Sequence, residues 1–343
     1  MDGVAWSCAV FVAALVSAWL LTRFLIGHLV KHEILAQQNE RSMHGVPTPV
    51  GGGWAIVLPV LLALLPSLPA QRQAATFAIV GGFILLAFVS WVDDRQDLPR
   101  LVRLAVQVFV VVAALALSPS DLIVFSSHWP LWADRLATAL CWLWFINLFN
   151  FMDGIDALAG LETLFISLGL LLIGLWLGHD WTTLSLLMTL MGAVIGFLWY
   201  NWPPARIFLG DVGAIPLGFL LGWLLIRLAG EGHLAAAFLL PGYFLADASV
   251  TLLRRLLAGE AFWTPHRDHF YQRAALALGS HARVLWRIIP LNAALLLLAL
   301  VALRWPVPAF VAGLGLIISA LAFLRRDAIV ARSKVDTPDN CCG

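Results

Sequence analysis

Long apolar runs joined by short polar connections leave this chain few ways to fold. A helix needs roughly 20 apolar residues to cross the core of a bilayer, with a range of about 17–25. Runs of that kind occupy 4–26, 50–68, 74–92, 102–118, 134–151, 158–177, 182–200, 212–229, 234–253, 285–303 and 306–324. The fifth is the most polar, because Asn and Asp crowd its end. Charged residues make up 12% of the 343-residue chain, against about 25% in an ordinary soluble domain. Too few charged side chains are present to wet a globule of this size. The ten-residue alternation of a membrane barrel is missing. The expected fold is an all-α polytopic membrane protein with eleven transmembrane helices.

Lys and Arg mark the cytoplasmic connections of membrane proteins. With the N-terminus outside, Arg72, Arg135, Arg227 and Arg304 fall on the outer side and the other Lys and Arg of the 21 fall in the cytoplasm. That bias places the C-terminus in the cytoplasm, as an odd number of spans requires. The start, "MDGVAWS", carries an acid and no small-residue cleavage site, so the first run reads as a membrane helix and not a signal peptide. Residues 1–330 read as one integral membrane catalytic domain with cytoplasmic loops 27–49, 93–101, 201–211 and 254–284. Residues 331–343 read as a disordered cytoplasmic tail. Cys8, Cys141, Cys341 and Cys342 have neither metal-ligand spacing nor the pattern of a disulfide framework.

The acidic residues collect at the cytoplasmic ends of the runs: "WVDDRQDLPR", "NLFNFMDGIDALAG" and "FLGDVG", joined by "PHRDHFYQR" in the long loop. Any one of these reads equally as a wet helix end, but ionisable groups at membrane depth are costly and tend to mark sites. Asp93 and Asp97 share a helix face, so a cation is expected beside them: Arg95, Arg100 or a divalent ion. Asn147, Asn150, Asp153 and Asp156 follow one another at steps of three and trace a polar stripe. Oxygen ligands of this sort suit Mg²⁺ or Mn²⁺ rather than zinc. Asp211 is either the N-cap of the next helix or a carboxylate at a helix mouth open to metal. His266, Arg267, His269 and Arg273 would suit a diphosphate, or equally a lipid headgroup. In "NERSMHGVPTPVGGGWA" the Pro and Gly residues allow close backbone approach, and Arg41 and His44 stand where a phosphate would meet them.

With these five motifs in this order, from about residue 39 to 273, the chain closely resembles the polyprenyl-phosphate N-acetylhexosamine-1-phosphate transferases (glycosyltransferase family 4). That superfamily includes the bacterial enzymes that start O-antigen and enterobacterial common antigen, and the phospho-MurNAc-pentapeptide translocase of peptidoglycan synthesis. The resemblance implies transfer of a sugar-1-phosphate from a UDP-N-acetylhexosamine to a polyprenyl phosphate, with release of UMP. It implies Mg²⁺ as cofactor, with Mn²⁺ as the alternative, held by Asp211 and Asp94. Asp93, Asp94 and Asp211 take the catalytic positions. Arg41, His44, Asn147, Asn150, Asp153, Asp156, His266, Arg267 and His269 take the substrate-binding ones. It further implies a bacterial inner-membrane protein whose site faces the cytoplasm, with no nucleic-acid partner, and leaves a homodimer open. The chain departs from the family at Ala157, where a second glycine is usual, and at Ala214, where serine is usual. Its loop reads His-Arg-Asp-His, closer to the O-antigen-initiating branch than to the His-rich peptidoglycan enzyme, which stands as the alternative. A secondary transporter would place its polar groups near the midplane in two related halves. A CDP-alcohol phosphotransferase would carry a dense Asp/Gly/Arg motif that is missing here.

Overall fold

The computed structural model describes residues 2–32, 48–65, 74–261 and 266–335. Among them the regular structure is helical, and paired extended backbone amounts to one isolated parallel bridge between Val50 and Phe208. The helices are α1 (Asp2–Lys31), α2 (Trp54–Leu64), α3 (Ala74–Gln96), α4 (Arg100–Ala116), α5 (Leu131–Phe151), α6 (Leu158–Leu177) and α7 (Trp181–Asn201). Then come α8 (Asp211–Leu228), a π turn (Ala229–His233), α9 (Leu234–Leu239), α10 (Gly242–Leu257), α11 (Phe270–Leu278), α12 (His281–Ala302) and α13 (Pro306–Val335).

Seven stretches of the described residues are long and apolar enough to cross a membrane: Gly3–Lys31, Ala74–Gln96, Leu158–Leu177, Trp181–Asn201, Asp211–Leu239, His281–Ala302 and Pro306–Asp327. The protein is therefore an all-helical polytopic membrane protein. Helices also form at the other expected runs, but α2, α4 and α10 are shorter, and α5 carries two Asn, an Asp and an Arg. The run 234–253 is not one helix. It breaks at Leu240 and Pro241, where proline cannot donate to the preceding turn. Gly232, with φ of 93°, kinks the path between α8 and α9. The expected loop 254–284 also folds: α10 runs on to Leu257, and α11 forms inside it. Helix α13 continues to Val335, past the expected start of the tail, with Asp327 paired to Arg287 of α12 at 2.8 Å.

Burial follows the sequence pattern. Of the most apolar stretch of α8 and α9, 89% is buried, against 17% of that of α1 and 28% of that of α13. Helix α8 is therefore the axis of the bundle. It packs against α3, α5 and α6, while α1 lies along α7 on the outside. Exposed side chains on the outer helices are large and apolar, among them Phe109, Trp132, Trp176 and Trp199. A soluble protein would bury such groups; lipid tails are an adequate solvent for them. The axis helix matters most here because its first residue is Asp211.

Candidate active site

Two backbone segments set the mouth of α8. The chain at 49–53 runs beside 207–213: Phe208 N–H donates to Pro49 O at 2.9 Å, Gly52 N–H to Phe208 O at 2.9 Å and Gly53 N–H to Leu209 O at 2.8 Å. A Cβ on Gly53 would overlap the backbone of Gly213. The glycines of "PVGGGW" thus let two main chains touch, which is why that motif and "FLGDVG" occur together.

Asp211 does not cap its own helix. Gly210, with φ of 75°, occupies the N-cap position without a side-chain bond, and Asp211 is the first helical residue. The capping carboxylate is Asp94, from the end of α3. Its Oδ1 accepts from the Asp211 N–H at 3.1 Å and its Oδ2 from the Val212 N–H at 3.2 Å. A carboxylate there meets two N–H groups the helix leaves unpaired, and the positive end of its dipole. Because Asp94 takes that task, the Asp211 carboxylate is released into the site. Asn150 of α5 donates to its Oδ1 at 2.7 Å, and Arg103 of α4 approaches its Oδ2 at 3.4 Å.

Arg103 also binds Asp93 Oδ2 at 2.6 Å, while Leu98 N–H donates to Asp93 Oδ1 at 2.7 Å. The cation expected for the acidic pair is therefore Arg103, not Arg95 or Arg100. Arg95 stacks over Trp91 at 4.3 Å. Asp97 does not share the face of Asp93, because it has left the helix with φ of 49° and is exposed.

Asp153 sits on the turn between α5 and α6, half-buried, and completes the cluster. Its burial, then the charges of Asp211, Asp94 and Asp156, push its carboxyl well above the usual range. The polar stripe divides from here. Asn150 and Asp153 reach the cluster. Asn147 lies a turn deeper and donates to Gln107 Oε1 of α4 and to Leu143 O, each at 2.8 Å. Asp156 is 3% exposed and is committed to structure. Its Oδ2 accepts from Ala205 N–H at 3.0 Å and lies 3.3 Å from His281 Nδ1. The stripe is not continuous because the helix ends at Phe151, and Ala157 turns the chain with φ of 62°.

The loop motif lies on the same side of the bundle. His266 stacks on His269 at 4.9 Å between ring centroids, and His269 is buried against Asp247. Asp268 pairs with Arg255 and with Arg273. Burial alone would raise its carboxyl, but these partners outweigh it and hold it below the usual range. Arg267 is half-buried beside them. Tyr271 connects this loop to the turn: its hydroxyl donates to Phe151 O at 2.9 Å. Arg41 and His44 lie outside the described residues. Sequence reasoning passed over Arg103, Asp247 and Tyr271. The lone Asp in "FLADASV" did carry a signal, since a carboxylate within an apolar run needs a reason.

Among the described residues no three His, Cys, Asp or Glu side chains converge to enclose a metal ion by themselves. Magnesium does not require that. It retains waters and is held through one or two carboxylates together with substrate phosphates. Asp94, Asp153 and Asp211 supply hard oxygen donors, and among the described residues Arg103 reaches Asp211 at 3.4 Å, so carboxylate charge is left over and the residues fit such an ion.

Fold and site together define an integral membrane protein with an acidic, oxygen-lined centre at one end of its helical axis. The sequence profile of glycosyl transferase family 4 matches residues 76–229. The chain is 26% identical over 273 residues to a probable undecaprenyl-phosphate N-acetylglucosaminyl 1-phosphate transferase of Bacillus subtilis (strain 168), covering 77% of this chain and 75% of that one. It is 30% identical over 232 residues to the phospho-N-acetylmuramoyl-pentapeptide-transferase of Chlamydia muridarum, covering 60% and 68%. It is 28% identical over 309 residues to the decaprenyl-phosphate N-acetylglucosaminephosphotransferase of Mycobacterium leprae, covering 78% and 77%. The chain belongs to the polyprenyl-phosphate N-acetylhexosamine-1-phosphate transferase superfamily.

Proposed function

We propose that this protein transfers N-acetylhexosamine-1-phosphate from a UDP-sugar to polyprenyl phosphate at the cytoplasmic face of a bacterial inner membrane. The observation that carries the reading is the release of Asp211. A carboxylate at a helix mouth would ordinarily cap that helix, and here Asp94 does so in its place. An oxygen of the lipid phosphate attacks the sugar-side phosphorus of the UDP-sugar. A new P–O bond forms, the bond to UMP breaks, and UMP leaves with its electron pair.

Such chemistry asks the protein for position and charge neutralisation more than for covalent participation. Bound Mg²⁺ would neutralise the diphosphate and the departing UMP. Asp211 would hold it first and Asp153 second, with Asp94 fixing the mouth of α8 beneath both. Asn150 orients the Asp211 carboxylate. Arg103 holds Asp93 and offers its remaining donors to phosphate oxygens. A general base is not required at neutral pH, where the lipid phosphate already carries charge. The acceptor's polyprenyl tail stays in the bilayer while its phosphate sits at headgroup level. That geometry accounts for a site at the end of the spans. Eleven spans, with the N-terminus outside, would put every motif on the cytoplasmic side.

The His-Arg-Asp-His loop supports the O-antigen-initiating branch. The 30% identity to a pentapeptide transferase favours, as the second reading, a muramoyl-pentapeptide donor. The test is purified protein in detergent with undecaprenyl phosphate, Mg²⁺, and a panel of UDP-N-acetylhexosamines and UDP-MurNAc-pentapeptide. UMP release and a lipid-linked sugar are expected with one of them, and Asp211→Asn should abolish both. Absence of turnover with every donor, or full activity in Asp211→Asn, refutes the reading.

A further inference from the structure

The transfer scheme leaves Glu162 and Asp247 unused, both fully buried carboxylates, and Asp247 is the one that touches the His/Arg loop. Asp247 lies in the second turn of α10 with 0% exposure, among apolar residues where an unpartnered carboxylate would be costly. Five donors converge on it. Its Oδ1 accepts from the Phe270 N–H at 3.0 Å and lies 3.3 Å from His269 Nδ1 and 3.4 Å from Thr251 Oγ1. Its Oδ2 accepts from the Tyr271 N–H at 3.1 Å and from the Tyr243 hydroxyl at 3.0 Å.

Phe270 and Tyr271 supply the first N–H groups of α11, donors the helix cannot pair internally. The residue at the N-cap position is His269, which makes no side-chain cap bond. Asp247 therefore caps α11 from another helix and draws the His269 ring in with it. The segment entering α11 is His266, Arg267 and Asp268. The first residues leaving the cap include Tyr271, whose hydroxyl reaches Phe151 O at 2.9 Å, two residues before Asp153. One carboxylate thus ties the His/Arg segment, through a single aromatic side chain, to the turn that carries Asp153.

We propose that Asp247 is a positioning residue for the transfer reaction: it holds the His266–Arg267 segment in register with the Asp153–Asp211 cluster, so that the donor's diphosphate meets both. This rests on the transferase reading above. The test is steady-state kinetics on full-length Asp247→Asn, with the UDP-N-acetylhexosamine that the wild type uses fastest and with undecaprenyl phosphate. An Asn offers one acceptor and one N–H₂ group to two backbone donors, so the segment is released. The kcat/KM for the UDP-sugar should fall about ten- to hundredfold, the order of loss that a misplacement of about 1 Å produces. The loss should sit in the KM for the UDP-sugar, with the KM for undecaprenyl phosphate unchanged.

Thr251→Val and Tyr271→Phe each remove one bond of the same network. They should show the same donor-side loss in smaller measure, and they decide the matter if Asp247→Asn does not fold. Wild-type kinetics in Asp247→Asn, or in both milder variants, overturns the proposal while leaving the transferase reading intact. An equal loss for both substrates marks a structural role alone and also overturns it. Wild-type protein that turns over no donor overturns the transferase reading, and this proposal with it.

Discussion

Replacing Gly154 by Ala should destabilise the protein, and the loss should not add to that of removing one oxygen distant in the chain. A Cβ at residue 154 overlaps the Tyr271 hydroxyl outright, while Tyr271 Cζ lies 3.1 Å and Gln272 Nε2 3.0 Å from the same point. Tyr271 is fully buried and its hydroxyl donates to Phe151 O at 2.9 Å, so it has no free direction in which to retreat. Overpacking of this kind costs about 1–3 kcal/mol. The displaced hydroxyl forfeits a hydrogen bond of about 1 kcal/mol. Reduced freedom of the unfolded chain returns about 0.4–1 kcal/mol. The net expectation for Gly154→Ala is a loss of about 1–3.5 kcal/mol, taking these terms together.

Tyr271→Phe alone should cost about 1 kcal/mol. In the double variant the remaining contacts at 3.0–3.1 Å are only a few tenths of an ångström short of ordinary ones. The double should therefore lose less than the two singles added, by about 1–2 kcal/mol. The assay is a double-mutant cycle by SDS-induced unfolding in mixed micelles, followed by Trp fluorescence. Strict additivity would refute the argument, since it would mean that the added methyl meets something other than the Tyr271 oxygen.

Three further outcomes follow from the site. Asp153 carries a raised pKa in the folded state; the stability linked to it is complete below the ordinary carboxylate range and is lost as pH rises through the raised value. Metal-free protein should accordingly melt at lower temperature as pH climbs through that window, and Mg²⁺ should stabilise it most at the upper end. The same slope in Asp153→Asn, read by scanning fluorimetry in EDTA, would refute this. Arg103→Gln strips Asp93, 8% exposed, of its cation and should cost about 1–3 kcal/mol. Adding Asp93→Asn should recover part of that loss in the same thermal assay; no recovery means the cost lies elsewhere. For Ala157→Gly, relief of left-handed strain is worth about 1–2 kcal/mol. The lost methyl burial costs about 0.8 kcal/mol and the added chain freedom about 0.5–1 kcal/mol. The stability should thus stay within about 1 kcal/mol of the parent, and a drop in Tm equivalent to more than twice that would contradict it. This balance explains how the chain tolerates alanine where its family usually carries glycine.

The membrane class was legible in the sequence because hydropathy is summed along the chain and needs no partner. The clustering of polar residues at run ends was legible for the same reason, and with the motif order it led to the family. Breaks inside the runs were partly legible: Pro241 lacks the N–H that would continue a helix, although Pro59, Pro216 and Pro290 lie inside helices. The helix at Phe270–Leu278 depends on a cap that is 23 residues away at Asp247.

What each acid does was decided by the tertiary structure. Asp94, Asp211 and Asp156 look alike in sequence: each is an Asp beside a helix end in a polar motif. Folding makes the first a cap for α8, leaves the second open in the site, and buries the third against Ala205 and His281. A carboxylate's role is set by which donors reach it and how much water it keeps. For all three the donors come mostly from helices far away in the chain, so neither quantity exists until those helices have packed.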